Sequence, residues 1–333
     1  MTARALALGR ELLGSPVSRA VLALVAVIMI GALFHADGAF YAWHTHRDML
    51  RQVSVYGILA CGMTLVIIAA GIDLSVGSVL GLTAVLFSIL TIHWEWSAWI
   101  ATPLCLAACA GCGLLSGALI ARYSLQPFIV TLAMMVFARG LAKHVSGGKK
   151  ISTYVELPGG GFENRELPAI FSAIDTRVLG GNVAVVTIIF LLCVALAWFV
   201  LSRTRAGRQL YAVGGNETAA HLSGIPVTRV KLLAYGASGL FAAIAGICQA
   251  AQETQGDPEA GSAYELSAIA IVVIGGTNLM GGRGSVLLTL LGALTIGYLE
   301  KILSLNAVGE ASRLMLTGAI IVAAVLLQRR RSP

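Results

Sequence analysis

Stretches of apolar residues about twenty long, following one another with little between them, constrain this chain more than any other feature. Each is long enough to cross a hydrocarbon core as a helix, because a helix rises 1.5 Å per residue. About ten can be drawn, at roughly 20–38, 52–71, 74–92, 97–121, 127–143, 182–201, 230–251, 264–280, 285–303 and 313–328. With 57% hydrophobic and only 12% charged residues over 333 positions, and a mean hydropathy of +0.85, no ordinary soluble domain fits. The expected fold is all-α: a polytopic integral membrane protein of about ten transmembrane helices, with broken or re-entrant segments. A single membrane domain at 20–328 carries an outer loop at 144–181 and a cytoplasmic loop at 202–229, with short tails at 1–19 and 329–333.

The net charge of +7 reads as topology. Short cytoplasmic loops carry an excess of Lys and Arg. Placing both termini inside puts Arg4, Arg10, Arg19, Arg122, Arg203, Arg205, Arg208, Arg229, Lys231, Arg283 and Arg329–Arg331 on the cytoplasmic side. The expected location is therefore a cytoplasmic (inner) membrane. A nucleic-acid partner is not expected, since the basic residues are scattered among loops and form no basic domain. The first apolar stretch is read as a retained anchor rather than a cleaved signal peptide, for want of a small-residue cleavage site.

The six cysteines all fall inside the apolar stretches, so no disulfide framework is implied. Cys105, Cys109 and Cys112 share one helix face. Close helix packing through small residues is one reading of them, and a metal or redox site at the C-x-x-C is the other.

A polar, basic insert runs from Gly214 to Lys231, GGNETAAHLSGIPVTRVK. Asn216 can cap a short helix, Glu217 sits where the helix dipole favours an anion, Gly224 supplies the stop, and Pro226 cannot extend it. So short a helix is unstable alone in water and needs a surface to hold it. It reads as a docking element for a second protein.

Glycine punctuates the apolar pattern twice, at GIDLSVGSVLGL from Gly71 and at GGTNLMGGRGS from Gly275, through Gly275 and Gly276. Such zones are either broken helices along a polar path or tight turns between spans. Asp73 is expected to fix the first by accepting from Ser75 and nearby N–H groups, as an N-cap, with or without a place on the path. Arg139 and Glu265 are intramembrane charges of opposite sign that either pair or line a path. For Arg139 the other reading is snorkelling, and for Glu265 it is first-turn placement on its helix. No G-x-x-x-x-G-K-[ST] phosphate loop is present, so ATP hydrolysis by this chain is not expected.

Four segments in order, GIDLSVGSVLGL from Gly71, QPFIVTLAMMVFARG ending at Gly140, TRAGRQLYAVGGNETAAHLSGI from Thr204 and YELSAIAIVVIGGTNLMGGRGSV from Tyr264, resemble the ribose-type permease family of ABC importers. The resemblance covers nearly the whole chain beyond the first span. It implies a permease subunit without enzymatic activity that moves a monosaccharide or similar hydroxylated solute into the cytoplasm. Implied partners are a cytoplasmic ATP-binding subunit, an extracytoplasmic solute-binding protein and a second permease subunit, identical or related. No cofactor is implied on this chain, and ATP with Mg would belong to the partner ATPase. Gly214, Gly215, Asn216, Glu217, Ala219, Ala220, Ser223 and Gly224 match the family's coupling loop. Arg139-Gly140 and Tyr264-Glu265-Leu266 match too. Ser267 departs from the family, where an aspartate is common. The alternative is a stand-alone proton- or sodium-coupled transporter using Asp73 and Glu265.

Overall fold

The computed structural model describes residues 15–156, 160–309, 311–313, 315, 316, 318, 319 and 322. Eight of its helices are long and apolar enough to cross a membrane. They are α1 (Pro16–Leu33), α2 (Trp43–Ile68), α3 (Val76–Ser88, continued to His93 by a wide π turn), α4 (Ala98–Tyr123), α5 (Pro127–Ser146), α7 (Val185–Arg203), α10 (Val227–Glu253) and α12 (Val286–Leu305). Shorter helices are α6 (Ala169–Asp175), α8 (Arg205–Gly215), α9 (Glu217–Leu222) and α11 (Tyr264–Ile274).

Two differences from the sequence reading have physical causes. The first span begins at Pro16 rather than residue 20, because the Ser15 hydroxyl caps the Ser18 N–H at 3.1 Å and Pro16 occupies the first helical position. The expected span at 264–280 is an 11-residue helix only. It starts at Tyr264 as expected but ends at Ile274, because Gly276, at φ +92°, turns the chain out of the helix. Its approach, 254–263, is non-helical, with Thr254, Gly261 and Ala263 at positive φ. The expected tenth span at 313–328, and both tails, fall wholly or largely outside the described residues.

The core is built around α2, α3 and α10, which are buried over most of their length, whereas α1 is exposed on nearly every side. Glycines and alanines let these helices approach to backbone contact. A Cβ on Gly113 would lie 2.1 Å from the Tyr235 carbonyl oxygen, one on Gly239 2.7 Å from that of Cys109, and one on Gly246 2.5 Å from that of Leu80. The cysteine-rich face of α4 lies in this seam, where Cys105 and Cys109 are buried and the Thr83 hydroxyl donates to Cys109 Sγ at 3.0 Å. Cys105, Cys109 and Cys112 thus take the packing role. Among the described residues no cluster of three or more His, Cys, Asp or Glu could hold a metal ion.

The long 144–181 segment is more ordered than a loop. Hairpin β1 (Tyr154–Glu156) and β2 (Phe162–Asn164) pairs Tyr154 with Asn164, and β3 (Arg177–Val178) with β4 (Val183–Ala184) closes onto α7. Helix α6 is fastened to α2 by Arg51–Asp175 and β3 by Arg177–Asp48, both at 2.5 Å, and α6 buries Phe171 against Phe87.

Candidate functional site: a charged cavity and a capped helix

Arg139 and Glu265 come together in one cavity of about 460 Å³, lined by α5 on one side and by the 259–265 segment on the other. Its polar lining is Ser78, Arg139, Lys143, Glu259, Ser262 and Glu265. That size is within the ~300–1,000 Å³ usual for small-molecule sites. The two charges are not an ion pair, however. Arg139 Nη1 instead donates to the carbonyls of Pro258 and, at 2.8 Å, Ala260. The guanidinium thereby satisfies carbonyls that the helix break leaves without intrahelical donors.

Around it, the whole non-helical segment is clamped from the α5 side. Ile151 and Gly256 exchange two backbone hydrogen bonds of 2.8 Å, Lys150 meets Asp257 at 2.9 Å, and Lys143 meets Glu259 at 2.5 Å. Close approach to α3 completes the seat. A Cβ on Gly77 would fall 2.2 Å from the Gly261 carbonyl and 2.6 Å from Glu265 Oε2, and one on Gly81 2.7 Å from both the Ala260 carbonyl and Arg139 Nη1.

Asp73 and Ser75 form a separate feature at the foot of α3. Asp73 Oδ1 accepts from the Ser75 N–H at 3.0 Å and the Ser75 hydroxyl at 2.6 Å. Asp73 is buried, and the bend is held as the sequence suggests, but the N-cap residue of the helix is Ser75, so Asp73 lies two positions before the N-cap. Asp73 and Glu265 therefore serve different places: one bonds within its own bend and the other faces the cavity. Ser267 is half-buried on α11 and is not among the cavity-lining residues. Gly275 and Gly276 open the turn after α11, where a Cβ on Gly275 would lie 2.5 Å from the Leu288 carbonyl and Gly276 has φ +92°.

The capped helix is as the sequence describes it. Asn216 Oδ1 accepts from the Ala219 N–H at 2.9 Å, Glu217 opens α9, and Gly224 leaves it at φ +80°. Of its six residues only Ala220 is buried. Leu222 projects outward, 82% exposed, beside Ser223. Glu217 also binds Lys231 Nζ at 2.7 Å, which ties α9 to the first turn and a half of α10. Asn216→Ala is expected to remove about 1 kcal/mol from a helix with no length to spare. The check is amide exchange over 217–222, which should quicken severalfold while exchange in α10 stays as it was.

Sequence reasoning missed Tyr211, whose hydroxyl donates to the Gly284 carbonyl at 2.9 Å, and it missed the partners of Arg139. It also read Gly281 and Gly282 only as part of a glycine zone, a broken helix or a tight turn. In fact they pack against Gly214 and Gly215, and the Gly282 N–H donates to Ile68 O at 2.9 Å. A tyrosine one turn before a Gly-Gly pair was the available signal.

Comparison with known proteins agrees with this architecture. The chain is 39% identical to the ribose import permease protein RbsC of Escherichia coli (strain K12) over 314 residues, 94% of each chain. It is 40% identical to the Haemophilus influenzae protein of the same name over 92% of this chain and 91% of that one. It is 34% identical to the fructose import permease protein FrcC of Rhizobium meliloti over 95% and 86%. No solved structure matches it. The model of the branched-chain amino acid transport system / permease component family matches residues 46–325, and the chain belongs to that family of membrane permeases.

Proposed function

We propose that this chain is the membrane subunit of an ATP-driven importer that carries a monosaccharide, or a similar small hydroxylated solute, into the cytoplasm. The observation that carries this reading is the similarity along 94% of the chain to ribose import permeases, with fructose and xylose import permeases also among its relatives. The family description speaks of branched-chain amino acids, but the individual relatives named here are sugar permeases. The cavity suits a hydroxylated solute, since Ser78, Ser262, Glu259 and Glu265 offer oxygens and Arg139 and Lys143 offer donors.

The partners follow from the same reading: a cytoplasmic ATP-binding subunit carrying ATP and Mg, an extracytoplasmic solute-binding protein and a second permease chain, related or identical. Residues 20–328 form one membrane domain, with 144–181 outside and 202–229 inside. Six spans separate the start of α1 from α8, so the N-terminus and the capped helix share a side. Arg203, Arg205, Arg208, Arg229, Lys231 and Arg283 make that side the cytoplasmic one. The exposed α9, with Leu222 at its tip, is the surface offered to the ATPase, and Gly214, Gly215, Asn216, Glu217, Ala219, Ala220, Ser223 and Gly224 build it.

Asp73, Ser75, Arg139, Glu265, Ser267, Gly275 and Gly276 belong to the gated part, the cavity and the bends that frame it. Nothing favours ion coupling through Asp73 and Glu265, which lie in separate features. Glu217→Lys sets two cations together where an ion pair stood. Uptake of D-ribose, D-fructose and D-xylose by cells expressing the whole importer should fall at least about tenfold. The protein should still insert in the membrane, as read by immunoblot. Undiminished uptake would count against docking through α9, and uptake of L-leucine alone would overturn the sugar assignment.

A further inference from the structure

The end of α2, the second glycine-punctuated zone and the base of the capped helix meet at one point. Gly214 and Gly215 end α8, Ile68 ends α2, and Gly281 and Gly282 lie in the 275–285 turn. A Cβ on Gly214 would sit 1.7 Å from Ile68 O and 2.7 Å from Gly282 N. One on Gly281 would sit 2.7 Å from both Gly214 O and Ala70 Cβ, and one on Gly282 2.7 Å from Gly215 Cα. Gly282 N–H donates to Ile68 O at 2.9 Å, so a hydrogen bond crosses the point where the three segments touch. Gly281 and Gly282, at φ +85° and +69°, hold a conformation that side chains resist.

Backbone pressed on backbone leaves no side chain to absorb a displacement by changing rotamer. A shift of α8 must therefore move the 275–285 turn or break the contact. That turn is the direct continuation of the C-terminal end of α11, whose 11 residues span about 16 Å and whose first turn holds Glu265 in the cavity wall. Tyr211, one turn before Gly214 on α8, adds a side-chain hydrogen bond between α8 and the turn, to Gly284 O at 2.9 Å.

We propose that the Ile68–Gly214–Gly282 contact is the joint that carries movement of the capped helix to α11 and the cavity, and that Tyr211 is the positioning residue that keeps α8 and the turn moving as one. The inference rests on the reading that α9 docks on an ATP-binding subunit. Backbone hydrogen exchange on the full chain in nanodiscs tests both separately. The ATP-binding subunit that co-purifies with the chain would be added back with Mg and a non-hydrolysable ATP analogue.

In the wild-type chain, exchange should slow over 217–222 and also change about tenfold or more over 275–285, with the Gly282 amide as reporter. Tyr211→Phe removes one hydroxyl only. It should keep the protection at 217–222 and the thermal stability of the wild type while losing most of the response at 275–285. A chain that merely lost stability would instead exchange faster in both places, with or without the subunit. Protection at 217–222 with no response at 275–285 in the wild type overturns the joint and leaves docking standing. A full response in Tyr211→Phe overturns the role of Tyr211. Absence of protection at 217–222 overturns docking, and the joint with it.

Discussion

Gly113→Leu is expected to leave almost no folded protein in the membrane, and Gly113→Ala to lower the melting temperature by on the order of 5 °C. The reason is where the new Cβ would go: 2.1 Å from the Tyr235 carbonyl oxygen and 3.1 Å from Gly239 N, both backbone atoms of α10. Backbone cannot rotate aside, so α4 and α10 must part by about an ångström or bend. The same seam holds Gly117 against the Leu232 Cα and Gly239 against the Cys109 carbonyl, so parting at one place loosens contacts along the whole crossing. The cost lies at or above the upper end of the roughly 1–3 kcal/mol typical of an overpacked core. Gly111→Ala is the control on the same helix. Nothing lies within 4 Å of a Cβ there, and replacing an open helical glycine gains about 0.8–1.0 kcal/mol of helix propensity. Detergent-extracted chains followed by size-exclusion chromatography after heating should therefore rank Gly111→Ala at or above wild type, Gly113→Ala below it, and Gly113→Leu absent. Equal behaviour of the two alanine variants would refute close backbone packing as the basis of the seam.

That seam shows which parts of the molecule a sequence displays and which it hides. Hydropathy displays the long helices, because crossing a hydrocarbon core demands about 20 apolar residues wherever it happens. Capping displays α9, because Asn216, Glu217 and Gly224 act on neighbours within a few positions. The two bends were legible as glycine zones for the same local reason. The non-helical 254–263 segment was legible only as the gap between the spans drawn at 230–251 and 264–280, and what it touches was not, since its partners lie far along the chain. Arg139 reaches Pro258 across 119 residues, and Gly282 reaches Ile68 across more than 200. Pairing of Arg139 with Glu265 was one of the expectations for two half-buried opposite charges, beside lining a path. Carbonyls freed by the helix break compete for the same guanidinium and lie closer to it. Opposite charge alone could not reveal that competition.

Arg139→Met is accordingly expected to cut uptake by at least about tenfold while most of the chain still reaches the membrane. Its removal strands the carbonyls of Pro258 and Ala260, each an acceptor whose desolvation costs about 1–3 kcal/mol when unpaired. It also withdraws the cation that faces Glu259 and Glu265 across the cavity. The damage stays local because Ile151, Lys150 and Lys143 still hold Gly256, Asp257 and Glu259 from the same side. What is lost is the seat of 258–260 against Gly81, and with it the position of Ser262 and Glu265 in the cavity wall. Arg139→Lys keeps the charge but replaces a planar donor by a single ammonium on a different stem, so it should retain part of the activity. Uptake of D-ribose, D-fructose and D-xylose by cells carrying the complete importer, normalised to membrane-inserted chain, separates the three cases. A methionine variant that transports as the wild type does would mean that Arg139 only snorkels toward an interface. Loss of transport with Lys as complete as with Met would mean that guanidinium geometry, rather than charge, holds the segment in place.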